Sequence, residues 1–147
     1  MPPDATRPAP RHLWIVGALS LLWNAFGAFD YLMTVTRNEA YLASFTPEQL
    51  AYFSSFPLWA TAAWATAIWA SVAGSAALLL RQRWAVPAFG VTLAAMVVTA
   101  VHNFVLSDGA RIMGGHAGMW AFTAVIWIVA IGLFVYAREM ARRGVLR

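Results

Sequence analysis

Few side chains in this chain can hold a proton or a polar ligand, and those few interrupt stretches that are otherwise apolar. Asp30, His102 and Asn103 are the clearest of them. A carboxylate and an imidazole at one level of a helical bundle can form a hydrogen-bonded pair that binds a proton, a cation or a polar ligand. Asn24, midway along an apolar run, can hydrogen-bond to a neighbouring helix. Asn24, Asp30, Tyr31, His102 and Asn103 are therefore the candidate lining of a pocket for a small polar solute, with Trp23 and Trp64 as stacking partners. Tyr31, Glu39, Glu48, Asp108, Arg111 and His116 could join Asp30 and His102 from the same side. A plainer reading is that Asp30 sits at the edge of its run and meets water or Arg37. Seven residues separate the two, too far for a direct pair unless both side chains stretch.

Much chemistry is excluded. The chain has no cysteine, which removes disulfides, thiolate nucleophiles and cysteine metal ligands. No His-x-x-x-His or Glu-x-x-His spacing suggests a metal site. His102 and His116, separated by a glycine-rich turn, make a poor pair of haem ligands. There is no Gly-x-Ser-x-Gly, no phosphate-binding loop and no dinucleotide fingerprint. Neither an enzyme nor a cofactor is expected. The net charge of +4 and pI near 10.4 raise the possibility of nucleic acid. The basic residues, however, flank apolar runs instead of forming one patch, so no nucleic-acid partner is expected.

The elements that must position these residues follow from hydropathy. Apolar residues make up 61% of the chain and charged residues 11%, against about 45–50% and 25% in a soluble domain. One soluble core of 147 residues cannot hide that much apolar surface, so a lipid bilayer must take the rest. Four runs reach the roughly 20 residues needed to cross hydrocarbon: about 13–35, 58–80, 84–106 and 117–137. None alternates with period two, so the fold class is all-α, a membrane four-helix bundle occupying residues 11–140. Residues 1–10, with four prolines, read as a disordered N-terminal segment, and 141–147 as a basic tail. By helical rise, Asp30 lies about 25 Å beyond Leu13 and His102 about 27 Å beyond Trp84. Spans one and three run in the same direction, so the two residues reach similar depth.

Arginines set the orientation. Arg7, Arg11, Arg81, Arg83, Arg138, Arg142, Arg143 and Arg147 fall on one side, and Arg37 and Arg111 on the other. The positive-inside rule places the first group, and both termini, in the cytoplasm. Residues 7–27 resemble a signal peptide, but the apolar run continues to Val35, longer than such a segment, and is read as an uncleaved span. Gly17, Ser20, Asn24, Gly27 and Tyr31 share one face of span one. Gly17, Ser20 and Gly27 read as a close-packing seam, and Ala63, Ala67, Ala70, Gly74 and Ala77 on span two are expected to match it. In the outer loop, Thr46-Pro47-Glu48-Gln49 has the pattern of a capping box, predicting a short helix from Pro47 to about Ser54. That helix is either a fixed cover or a moving gate. The spacing of Gly114 and Gly118 is a weak packing signal at the start of span four.

Three stretches carry a resemblance: Trp23 to Tyr31, Phe45 to Phe53 and His102 to Gly109. They resemble a set of short four-span proteobacterial inner-membrane proteins, mostly uncharacterised, some of them labelled sugar transporters. The resemblance implies a bacterial inner (plasma) membrane location and a transport role, and assigns no site residues. Two functions are expected to compete. In one, the protein binds or moves a small, sugar-like solute, and four helices being a thin scaffold, it does so as a homo-oligomer. In the other, it is a non-catalytic accessory or assembly subunit of a larger membrane complex.

Overall fold

Prolines, arginines and turn chemistry divide the apolar sequence into helices, seven of them among the described residues. The computed structural model describes residues 8–113 and 117–147, and among these no strand occurs. The elements are α1 (Arg11–Val35), α2 (Glu39–Leu42), α3 (Pro47–Ser54), α4 (Leu58–Leu79), α5 (Ala85–Val101), α6 (Gly109–Met113) and α7 (Ala117–Arg142). A π-helical turn, His102–Leu106, continues α5. Among the described residues four helices are long and apolar enough to cross a membrane: α1, α4, α5 with its π-turn, and α7. His116, the glycines at 114 and 115 and the first seven residues lie outside the described residues, as does most of the segment expected to be disordered.

The capping box at α3 is complete. Gln49 N–H donates to Thr46 Oγ1 at 3.2 Å and Thr46 N–H to Gln49 Oε1 at 3.0 Å. Three helix ends share another device, in which the chain turns through a left-handed residue. After α7 that residue is Gly144 (φ +73°), with Val145 N–H bonded to Met140 O and Gly144 N–H to Ala141 O. This double closure satisfies carbonyls that a helix end otherwise leaves bare. Arg37 (φ 54°) and Arg81 (φ 57°) occupy the same position after α1 and α4, where an L-residue costs about 1 kcal/mol relative to glycine.

The long helices pack in chain order, α1 on α4, α4 on α5 and α5 on α7. Helices α1 and α7 meet through side chains: His12 Nδ1 lies 2.6 Å from Tyr136 Oη, and the Trp23 and Phe122 rings are 6.2 Å apart. The core concentrates at the end where α1 begins and α7 finishes, here called the terminal end. Leu13, Leu78, Phe89, Ala137, Val145 and Leu146 are buried there in one cluster. The residues read as a basic tail are docked. Arg147 N–H bonds Arg81 O at 2.6 Å, Arg83 N–H bonds Arg147 O at 2.7 Å, and Arg81 Nε donates to Val145 O at 3.1 Å.

The α1–α4 contact uses the small residues of α1 on a different face of α4 from the one expected. A Cβ on Gly17 would fall 2.6 Å from Leu79 Cδ2, and one on Gly27 3.3 Å from Ile68 Cδ1. Asn24 Nδ2 donates to Ser75 Oγ at 2.9 Å and to Ser71 O at 3.2 Å. The α1-facing stripe of α4 is thus Ile68, Ser71, Ser75 and Leu79. Gly74 instead faces α5, where a Cβ would lie 2.9 Å from Phe89 Cε1. At about 100° per residue, Ala63 and Ala67 lie on the Gly74 side, roughly a quarter turn away from the α1 stripe. Small residues were read as one seam, but they divide between two neighbours.

Candidate functional site

At the opposite end, the loop end, the polar residues of the spans meet the short helices. Asp30 and His102 do not pair with each other: among the described residues, each has its own partners. The Tyr41 hydroxyl donates to Asp30 Oδ1, joining α2 to α1. Asn38 makes this contact possible by capping α2, its Oδ1 accepting from Tyr41 N–H at 3.0 Å. The hydrogen bond to the Asp30 carboxylate, with burial and the carboxylate's charge, pushes the Tyr41 phenol up to about 12. Phe29 and Phe45 flank the Tyr41 ring at 5.8 Å each.

His102 opens the π-turn and is 6% exposed. Its Nδ1 lies 3.1 Å from Asn103 Oδ1, and that oxygen is 2.8 Å from the Tyr52 hydroxyl of α3. Tyr52 Oη is also 3.0 Å from Ser107 Oγ, which donates to His102 O at 2.7 Å. That last bond spans five residues, the spacing of the π-turn, so the wide turn itself brings Ser107 back over His102. Burial pushes the Tyr52 phenol up, and the Asp108 charge adds to this. Gly109 closes the cluster from α6. A Cβ there would run into the Tyr52 hydroxyl and come within 2.7 Å of Asn103 O.

Around this polar knot stands an aromatic wall. The His102 ring is 4.7 Å from Phe56 and 5.3 Å, edge to face, from Trp59. Phe53 and Phe56 in turn lie 6.0 and 6.2 Å from Trp64, which meets Tyr31 at 5.0 Å. Helix α3 stands between two open clefts, with Ala51 lining both. One, about 480 Å³, is bordered by Thr34, Arg37, Phe53 and Trp64. The other, about 740 Å³, is bordered by Glu48, Tyr52, Trp59, His102, Ser107 and Asp108.

The larger cleft has the richer chemistry. His102 Nε2 makes no hydrogen bond, yet no buried side-chain nitrogen or oxygen lacks a partner among the described residues. Nε2 therefore reaches accessible space, and the cleft is the space His102 lines. Trp59, which also lines this cleft, has 47% of its surface uncovered. On the rim, Arg111 of α6 holds Glu48 of α3 at 2.8 Å and approaches Asp108 at 3.9 Å. Both partners are exposed, so this bridge contributes no more than about 1 kcal/mol. No group of three or more His, Asp or Glu side chains able to hold a metal occurs among the described residues.

Compared with known proteins, the chain matches no family model, no curated protein and no solved structure. The site must be read from its own residues. Of the sequence candidates, His102 and Asn103 belong to this cluster. Asp30 and Tyr31 lie at the same end on α1, directed to Tyr41 and Trp64. Asn24 is deeper and occupied in the α1–α4 contact, where such bonds contribute on average about 0.6 kcal/mol. Sequence reading missed Tyr52, Tyr41 and Ser107 as partners and Trp59 as a cleft wall. One signal was available for Tyr52: it shares a face with Glu48 and Ser55 in a helix whose start was already fixed by its capping box.

Proposed function

We propose that this chain is a multi-pass inner-membrane protein, with both termini in the cytoplasm, that binds and passes a small polar solute through the cleft at its loop end. The orientation is supported by the arginines. Among the described residues Arg11, Arg81, Arg83, Arg138, Arg142, Arg143 and Arg147 gather at the terminal end, and only Arg37 and Arg111 at the other, as positive-inside insertion requires. The solute reading is carried by one observation: a buried imidazole, held through Nδ1 and with no hydrogen bond at Nε2 among the described residues, lines the same cleft as a half-exposed tryptophan. An apolar wall with a few fixed polar groups is the usual make-up of a small-molecule site. The resemblance to proteins labelled sugar transporters points the same way. In liposomes containing the purified protein, His102→Ala is expected to reduce solute uptake at least about tenfold, equivalent to about 1.4 kcal/mol. Uptake unchanged in a correctly folded His102→Ala protein removes the proposal.

A second reading, an accessory subunit of a larger complex, is favoured by α7. This helix is the least covered of the four. Phe122, Ile128 and Val135 are 53–69% exposed, and Gly118 and Gly132 have open space where a Cβ would sit. Mild-detergent purification separates the two readings: a homo-oligomer supports solute transport, and stoichiometric co-purification of other membrane proteins supports the subunit.

A further inference from the structure

We propose that the Asn103 amide donates to His102 Nδ1 and thereby fixes the imidazole as its Nε2–H tautomer, making the larger cleft a receptor for a neutral oxygen acceptor such as a carbonyl or hydroxyl group. The inference rests on the reading of this cleft as a solute site and gives that site a ligand class.

The argument is a count of hydrogens. Four short contacts join the cluster: Ser107 Oγ to His102 O, Tyr52 Oη to Ser107 Oγ, Tyr52 Oη to the Asn103 amide, and that amide to His102 Nδ1. A backbone carbonyl only accepts, so Ser107 spends its single hydrogen on His102 O. Tyr52 must then supply the hydrogen between itself and Ser107, and has none left for Asn103. With Oδ1 facing the pair, the Tyr52, Ser107 and His102 hydrogens are three for four contacts. The amide oxygen and nitrogen exchange places by a half-turn without change of shape. With Nδ2 facing the pair, its two hydrogens serve Tyr52 Oη and His102 Nδ1, and every contact has its proton. Nδ1 is then an acceptor, and in a neutral imidazole the hydrogen resides on Nε2.

This decides what the cleft can recognise. An Nε2–H group has no lone pair for a metal ion and cannot accept from an ammonium group. It donates to oxygen. The rim carries Glu48 and Asp108 against Arg111, one negative charge in excess, which disfavours a carboxylate or phosphate. A neutral carbonyl or hydroxyl with an apolar side to lie on Trp59 fits both conditions. Asn103 acts through His102 and is a positioning residue.

The test is the two-bond ¹⁵N–¹H spectrum of histidine-labelled full-length protein in nanodiscs, at a pH above the ordinary imidazole range. His12→Gln and His116→Gln assign the His102 signals. The expected wild-type pattern is Nε2–H, and Asn103→Asp, which cannot donate, moves the proton to Nδ1. An Nδ1–H pattern in the wild type overturns the tautomer assignment and leaves the solute reading intact. Titration then separates the two: acetamide is expected to shift His102 Nε2, with acetate and tetramethylammonium needing at least about tenfold more. A stronger response to either ion overturns the ligand class, and an Nε2–H tautomer that responds to no probe removes the solute site.

Discussion

The two ends of the bundle are built from opposite materials. At the terminal end, Phe89, Leu78 and Leu13 are almost wholly buried with Val145 and Leu146, and the hydrogen bonds that hold the segment after α7 involve main-chain atoms. At the loop end, three short helices meet through hydroxyls, an amide, an imidazole and a run of aromatic rings, with two clefts left between them. Apolar contacts are non-directional and tolerate exchange, whereas the loop-end network requires each hydrogen to have one destination. Stability is therefore expected to rest mainly on one end of the bundle and, on the proposed function, recognition on the other.

The largest expected effect strikes the first end. Phe89→Ala removes the ring that fills the space over Gly74 and is expected to cost about 3–5 kcal/mol. Thermal unfolding in detergent measures this, and His102 signals in the remaining folded protein should be unaltered. Next, Gly109→Ala forces a methyl group into Tyr52 and Asn103, at a cost of about 1–3 kcal/mol. Here the separation runs the other way: the loop-end cluster and solute binding are lost, while helix content measured by circular dichroism is retained. If either substitution perturbs both ends equally, the division fails.

The smallest effect is confined to one hydroxyl. Tyr41 has a folded-state pKa raised from 10 to about 12, so the native fold holds its proton more tightly than the unfolded chain. Its stabilising contribution is complete below pH 10 and is lost as pH rises through about 12. Ultraviolet titration should show Tyr41 ionising later than an ordinary phenol, and Asp30→Asn should bring the Tyr41 step back toward 10 while leaving that of Tyr52 in place. A titration unchanged by Asp30→Asn would remove the Asp30–Tyr41 latch.

The long helices were legible because each apolar run has the length of a span and ends in arginine, proline or a turn. Helix α3 was legible because a capping box is a local device, complete within four residues. Partners across the fold were not. His102 and Asn103 stood out as polar residues in an apolar run, but the π-turn alters the helical register just where they sit, and periodicity cannot foresee that. Ser71 and Ser75 escaped because alanine and glycine looked like the better packing face of α4. Asp30 and His102 share a depth, yet equal depth does not make neighbours: Tyr41, eleven residues along a folded-back loop, reached Asp30.

The docked segment after α7 also constrains the order of events. Leu13 and Leu146 belong to one cluster although almost the whole described chain separates them. A chain emerging residue by residue can form the α4–α5 hairpin while α7 is still absent, since that contact is local. The terminal-end cluster has to wait for both extremes. Its closure is a late, long-range step, and until then Phe89 and Leu78 have only part of their cover. The slowest step in reaching this structure is therefore expected at the end that contributes most to its stability, while the site at the other end is assembled from pieces closer in sequence.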